Sequence, residues 1–241
     1  RENFGMSLAY SGVSETNDFI FLSDNVNPTL TPFEIIGKTA EEREDAFLER
    51  HGPGLDHFCF IVRDLQETYV KLSAAGVPFH VPPYEFQGSW IAWCNDPAGT
   101  EIELLQIEVD ISTPTVRTEA PRAQYNHVAI VTADREQAQA TEDFYREHMG
   151  MTELLRGGPS EEMDWVYLQD ASGANPLWLE IIRAIFEEEQ SFISEYGPGL
   201  EHHCFVVDDA AEFHAWLRGR GVALESNVID FVGAKMFFLR D

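Results

Sequence analysis

The sequence predicts an α+β fold built from tandem βαβββ modules, four in all, the first and last incomplete. Three observations carry this reading. The stretch Gly52-Pro53-Gly54-Leu55-Asp56-His57-Phe58-Cys59-Phe60 returns 145 residues later as Gly197-Pro198-Gly199-Leu200-Glu201-His202-His203-Cys204-Phe205. Matched residues flank it at the same offset: Gly5-Met6 with Gly150-Met151, Gly76-Val77 with Gly221-Val222, and Asp96 with Asp241. Within each unit a strand bearing a histidine comes first and a strand bearing a glutamate comes last.

Taken in order, Arg1 aligns with Arg146 at the end of an expected helix, so the first copy reads as lacking its opening strand and most of that helix. Phe33-Glu34-Ile35-Ile36 closes the first module and matches Leu179-Glu180-Ile181-Ile182 at offset 146, one residue having been inserted and later removed. The glycine turn at 52–54 feeds a strand in which side chains alternate faces. Phe58, Phe60 and Val62 share a face suited to packing under a helix; His57, Cys59 and Ile61 share the other. Residues 101–106 close the second module. Residues 110–122, rich in Thr and Pro, read as a linker between domains at 1–109 and 123–241.

The second copy is the clearer one. A strand over 126–131 places His127, Ala129 and Val131 on one face. A helix over 134–148 is charged in its first turn and ends near Gly150. Strands follow at 152–155, 165–169 and 177–183, with Ser172-Gly173-Ala174-Asn175-Pro176 marking a turn. An acidic helix over 184–195 leads to the second glycine turn. The final module reads as a strand over 202–207, a helix over 210–219 and strands at 222–225 and 235–239. It stops before a counterpart of 97–104.

The chain carries 42 acidic against 16 basic residues, a formal net charge of −26. That balance argues against nucleic acid or an anionic membrane surface as partner. No apolar run approaches the roughly 20 residues of a membrane span. The opening residues do not resemble a signal peptide, and three cysteines make no disulfide framework, so the expected compartment is cytoplasmic.

The recurring polar residues are His57, His127 and His202 on opening strands, and Glu34, Glu103 and Glu180 on closing strands. A lone half-buried His or Glu is ordinarily a satisfied structural residue. Repetition of the pair shifts that balance, because a carboxylate set among Ile, Leu and Phe is costly unless it is paired or binds a cation. Nitrogen and oxygen donors without clustered thiolates suit Fe2+, Mn2+, Zn2+, Ni2+ or Co2+. Asp18 and Asp164, equivalent at offset 146, open strands, where an aspartate is ordinarily a solvated turn residue. His203, whose counterpart is Phe58, turns to the helix side and reads as packing. Cys59 and Cys204 read as small filler on the ligand face. Trp90, Trp93, Trp165 and Trp178 are core residues or the wall of an apolar substrate pocket.

With these residues in place, the chain resembles the vicinal oxygen chelate superfamily, which includes glyoxalase I, methylmalonyl-CoA epimerase, bleomycin-resistance proteins and extradiol dioxygenases. The segment from Phe47 to His57 is similar to the inter-module segment of methylmalonyl-CoA epimerase. Asp96-Pro97-Ala98-Gly99-Thr100-Glu101-Ile102-Glu103-Leu104 is similar to the more general ending of a glyoxalase or dioxygenase module. The resemblance implies half-barrels in which paired modules supply opening-strand and closing-strand ligands to one metal. Glu34, His57 and Glu103 would then line a first site, its remaining His preceding Arg1. His127, Glu180 and His202 would line a second, its closing Glu following Asp241. The resemblance also implies a small-molecule substrate and admits a homodimer.

Two open positions on such an ion would bind neighbouring substrate oxygens and stabilise an enolate. The expected activity is therefore a lyase or isomerase reaction, with Asp164 or Asp18 moving the proton. An Fe2+ extradiol dioxygenase is the alternative; it needs only two His and one carboxylate, so Glu180 counts against it as a surplus fourth ligand. A metal-free binder of the resistance type is the third reading, and the imidazole and carboxylate set argues against it.

Overall fold

A computed structural model describes residues 6–13, 18–23, 33–37, 42–86, 88–107, 123–158, 164–171, 177–231 and 233–240. Along the chain the elements are β1 (Ser7–Val13), β2 (Asp18–Ser23), β3 (Phe33–Ile36), α1 (Glu42–His51), β4 (His57–Ile61), α2 (Leu65–Ala74), β5 (Phe79–Phe86), β6 (Ser89–Asn95) and β7 (Glu101–Gln106). The second copy adds β8 (Ala123–Thr132), α3 (Arg135–Glu147), β9 (Met151–Gly157), β10 (Trp165–Asp170), β11 (Trp178–Arg183) and α4 (Glu187–Tyr196). It ends with β12 (Gly199–Val207), α5 (Ala210–Gly219), β13 (Ile229–Phe231) and β14 (Ala234–Met236). The fold is α+β, and β4-α2-β5-β6-β7 and β8-α3-β9-β10-β11 are two complete βαβββ modules. Among the described residues no helix is long and apolar enough to cross a membrane.

The histidine strand and the glutamate strand of each complete module are neighbours. β4 lies parallel to β7 in a four-stranded sheet of order β4-β7-β6-β5. β8 lies parallel to β11 in a five-stranded sheet of order β12-β8-β11-β10-β9. Parallel pairing of the first and last strands requires a long crossover. α2 and α3 begin those crossovers. Each starts at an aspartate, where Asp64 accepts from the Glu67 N–H and Asp134 from the Gln137 N–H, both at 2.9 Å. β5 carries Pro82 and Pro83, which cannot donate to a ladder. It accordingly sits at the sheet edge, with its register broken between Val81 and Tyr84.

Contacts divide the chain into two compact units. One comprises residues 38–110 and 126–204, and the two complete modules share its core. Leu65, Leu72, Ala92, Ile102 and Leu104 of one module pack with Val128, Ile130, Tyr145, Val166 and Ile181 of the next. Phe58, Phe60 and Val62 join this core, as alternation requires, leaving Cys59 exposed and Ile61 56% exposed on the opposite face. Asp96 supplies a polar tie between the two modules, its carboxylate accepting from the Thr100 N–H and the Tyr145 O–H, each at 2.8 Å. Burial raises the Asp96 pKa to about 6, against the lowering effect of those donors.

The other unit comprises residues 1–37, 111–125 and 205–241. It holds the antiparallel sheet β1-β2-β3, the β13-β14 hairpin and α5. Its buried centre is Ala123, Phe213 and Leu217, against which Phe205, Trp216, Val222 and Phe237 pack. The compact units thus cut across the expected domains 1–109 and 123–241, because the apolar faces of the second and third modules are buried against each other.

Two local expectations need correction. Residues 222–225 form no strand; a single bridge joins Leu224 to Leu239, and the ladder is confined to Ile229–Phe231 with Ala234–Met236. Ser226 interrupts the pairing, its hydroxyl accepting from the Phe238 N–H and its carbonyl lying 3.1 Å from His214 Nε2. The acidic helix starts at Glu187 rather than at 184, because the Glu189 carboxylate accepts from the Ile185 and Phe186 N–H groups and fixes the first turn there. Gly197, at φ +86°, ends it, and Gly52, at φ +73°, ends α1 in the same way.

Candidate metal centre

The register of the five-stranded sheet collects polar residues on one face. Trp178 lies beside His127 and Glu180 beside Ala129 along the parallel β8–β11 ladder. Tyr167 on β10 lies opposite Glu180, and Trp165 lies opposite Ile182. Period-two alternation therefore aligns His127, Glu180 and Tyr167 on the same side. β12, the other neighbour of β8, adds His202 from residues 199–204.

The result is a compact donor group. His127 Nε2 lies 3.1 Å from Glu180 Oε2, His202 Nε2 lies 3.8 Å from the same oxygen, and the two imidazole nitrogens are 3.4 Å apart. Among the described residues this is the one group of three His, Cys, Asp or Glu side chains whose ligand atoms all lie within 4.8 Å of one another. Donors about 2.1 Å from a common ion stand roughly 3.0–3.5 Å apart, so the three fit a divalent metal. Each imidazole is turned for that role: His127 Nδ1 meets Asn126 Oδ1 at 2.8 Å, and His202 Nδ1 meets Glu201 Oε2 at 2.7 Å. An occupied Nδ1–H leaves Nε2 as the donor toward the ion. Burial disfavours protonated His202, but Glu201 and Glu180 outweigh it and raise its pKa above the ordinary value. His127 and Glu180 are buried, whereas the His202 side chain is 31% exposed, so the group opens to solvent on that side.

The residue before each histidine was not read from the sequence as functional, yet its pattern was visible. Asp56, Asn126 and Glu201 all carry a side-chain oxygen, and Asp56 Oδ2 meets His57 Nδ1 at 3.0 Å. Tyr167 was missed as well. Its ring meets His127 edge-on, with centroids 5.2 Å apart, between Trp165 and Trp178. It lies opposite Glu180 in register, and burial together with the Glu180 charge raises its pKa, so it stays a donor. Cys204 lies near Glu180; burial and that charge lift its thiol to about 11, which keeps it neutral and unsuited to nucleophilic work. His203 lies on the opposite face, and burial lowers its pKa to about 4, aided by repulsion from His202 and His127.

The first copy reproduces part of this arrangement. His57 Nε2 stands 3.7 Å from Glu103 Oε2, and Trp93, opposite Glu103 in register, meets His57 edge-on at 4.8 Å. Burial opposes protonation of His57, but Asp56 and Glu103 prevail and raise its pKa to about 9. Glu34 lies on β3 opposite Phe21, in the other compact unit. Asp164 is 2% exposed and ion-paired with Arg183, whose backbone N–H also donates to the Asp164 carbonyl at 2.7 Å. Asp18 opens β2, and its side chain lies outside the described residues.

Paired modules presenting imidazole and carboxylate from neighbouring strands define a class of α+β protein with a candidate metal centre on its sheet. Family models described as the Glyoxalase/Bleomycin resistance protein/Dioxygenase superfamily match residues 2–104 and 126–238. The chain belongs to that superfamily, as a tandem pair of its domains. Among solved structures it is similar to a mutant of 4-hydroxymandelate synthase from Streptomyces coelicolor, with 20% identity and a TM-score of 0.64 over 88% of this chain and 65% of that one. It is also similar to a xylose isomerase-like TIM barrel/4-hydroxyphenylpyruvate dioxygenase fusion protein, with 18% identity and a TM-score of 0.58 over 92% of this chain and 36% of that one. The chain thus spans less than two thirds of either neighbour. No curated protein sequence matches it.

Proposed function

We propose that the chain is a divalent-metal-dependent enzyme whose centre is His127, Glu180 and His202, and that its activity is an Fe2+-dependent oxygenase reaction on a small aromatic or 2-oxo acid substrate. The supporting observation is the donor set: two imidazoles and one carboxylate within mutual reach, open on one side. That combination with free positions is characteristic of non-haem Fe2+ oxygenases. In the sequence Glu180 counts against this chemistry as a surplus ligand. The proximity of Glu180 to both imidazoles supports reading it as the carboxylate of such a triad, in place of a closing Glu beyond Asp241.

An ion at this site would supply Lewis-acid polarisation of bound oxygens and, as Fe2+, electrons for dioxygen chemistry. The chain's own residues do the rest. Asn126 and Glu201 fix the imidazole tautomers. Trp165, Tyr167 and Trp178 form an aromatic flank suited to stacking a planar substrate. 4-Hydroxyphenylpyruvate, which gives one of the two structural neighbours its name, is the first substrate to test.

A second reading, proton transfer through an enolate in the lyase or isomerase manner, is favoured by the retained His57–Glu103 pair in the first copy. Its base would be a carboxylate other than one locked to a half-buried arginine, which weighs against Asp164. Oxygen uptake by the Fe2+-loaded chain with 4-hydroxyphenylpyruvate and with catechols supports the oxygenase. Solvent-deuterium incorporation into a thioester without oxygen uptake supports the enolate reading. We also propose a cytoplasmic location, supported by an acidic balance that argues against an anionic membrane surface as partner.

A further inference from the structure

We infer that Tyr167 is a positioning residue of the metal centre, holding the Glu180 carboxylate against His127 in the orientation an ion requires. This rests on the metal-centre reading above and deepens it. Three observations converge on Tyr167. It stands directly opposite Glu180 in the β10–β11 ladder, so the two side chains project together from one sheet face. That register sets a phenol donor beside the carboxylate. Its ring lies edge-on to His127, 5.2 Å between centroids, and is itself wedged between Trp165 and Trp178. One rigid side chain therefore stands beside two of the three ligands. A carboxylate on a strand has two free side-chain torsions beyond χ1, and an O–H donor on a fixed ring removes that freedom before the ion arrives.

The repeat sharpens the inference. The register position opposite the closing glutamate is aromatic at each of the three such glutamates named above: Phe21 faces Glu34, Trp93 faces Glu103, and Tyr167 faces Glu180. The ring is the shared device, and the phenol hydroxyl occurs where the three ligands gather.

The experiment is a Co2+ titration of the apo full-length chain and its Tyr167→Phe variant, against a competing chelator, with the visible absorption of the Co2+ complex recorded. Glu180→Ala and His127→Ala serve as controls that should lose the site. The expected result is at least about tenfold weaker Co2+ binding by Tyr167→Phe, with a changed visible spectrum. Affinity and spectrum identical to wild type would overturn the inference while leaving the metal centre intact. Failure of the wild-type chain to bind Co2+, or undiminished binding by both controls, would overturn the centre itself and the inference with it. Should Tyr167→Phe not fold, 3-fluorotyrosine at position 167 keeps ring and hydroxyl and alters only hydrogen-bond strength. A spectral shift then supports the role, and an unshifted spectrum overturns it.

Discussion

His127 and Glu180 illustrate how much chemistry a single register position carries. Their repetition along the chain made them visible as candidates, because a costly carboxylate among aliphatic neighbours recurred where a histidine strand recurred. Alternation then assigned them to one face. Substituting either by alanine should lower divalent-metal affinity by at least about two orders of magnitude, measured as metal content after dialysis; His203→Ala, on the opposite face, should leave it unchanged. Asp164 had the same visibility as a strand-opening aspartate, but its partner Arg183 is 19 positions away and no local pattern announces the pair. Asp164→Ala breaks a largely buried ion pair, with a stability loss on the order of 3 kcal/mol expected in urea denaturation. A catalytic base would instead show a fall in kcat at unchanged stability, so the two measurements separate the roles. Tyr167 escaped the sequence reading because an aromatic residue in a strand has an ordinary packing explanation; only the cross-strand register gives it a carboxylate to hold.

Elements were legible where local chemistry was strong. The aspartate-led helices α2, α3 and α5 announce themselves by an N-cap before an apolar period, and Asp209 accepts from the Ala211 and Glu212 N–H groups at 2.8 and 2.9 Å. Asp209→Ala should cost about 1 kcal/mol, read from the urea midpoint at constant slope. What failed was the 222–225 strand, where apolar Val222 and Leu224 suggested a ladder. Packing of those side chains on Phe213 and Leu217 needs no strand partner, and Ser226 takes the hydrogen bonds that a ladder would have used. The β9–β10 connection shows a similar dependence on tertiary context. Gly158 adopts φ +142°, and a Cβ there would collide with the Asp164 side chain. Gly158→Ala should therefore destabilise the chain by more than an ordinary glycine substitution, about 2 kcal/mol or more by thermal melting.

At the scale of the whole molecule, the repeat was plain in the sequence but the packing of its copies was not, since nothing local says which apolar face meets which. The Asp96–Tyr145 bond belongs to this level, joining the end of β6 to α3. Asp96 titrates near 6 in the folded chain against an ordinary 3.8, so between those values the native state holds a proton that the unfolded chain has lost. Its contribution to stability consequently declines as pH rises from about 4 to about 6 and stays low above that. The stability difference between wild type and Asp96→Asn should shift across that window, and remain flat from about pH 7 to 9. The shared core of the second and third modules has a further consequence, for how the two halves depend on each other. Residues 1–109 and 123–241 produced as separate polypeptides should each leave one face of that core bare and associate when mixed, coeluting as a complementing pair. A half-length ancestor would have met the same need with a second molecule, at the mercy of concentration. Joining two copies in one gene makes that encounter intramolecular, and the dilution that would part a dimer leaves this chain intact.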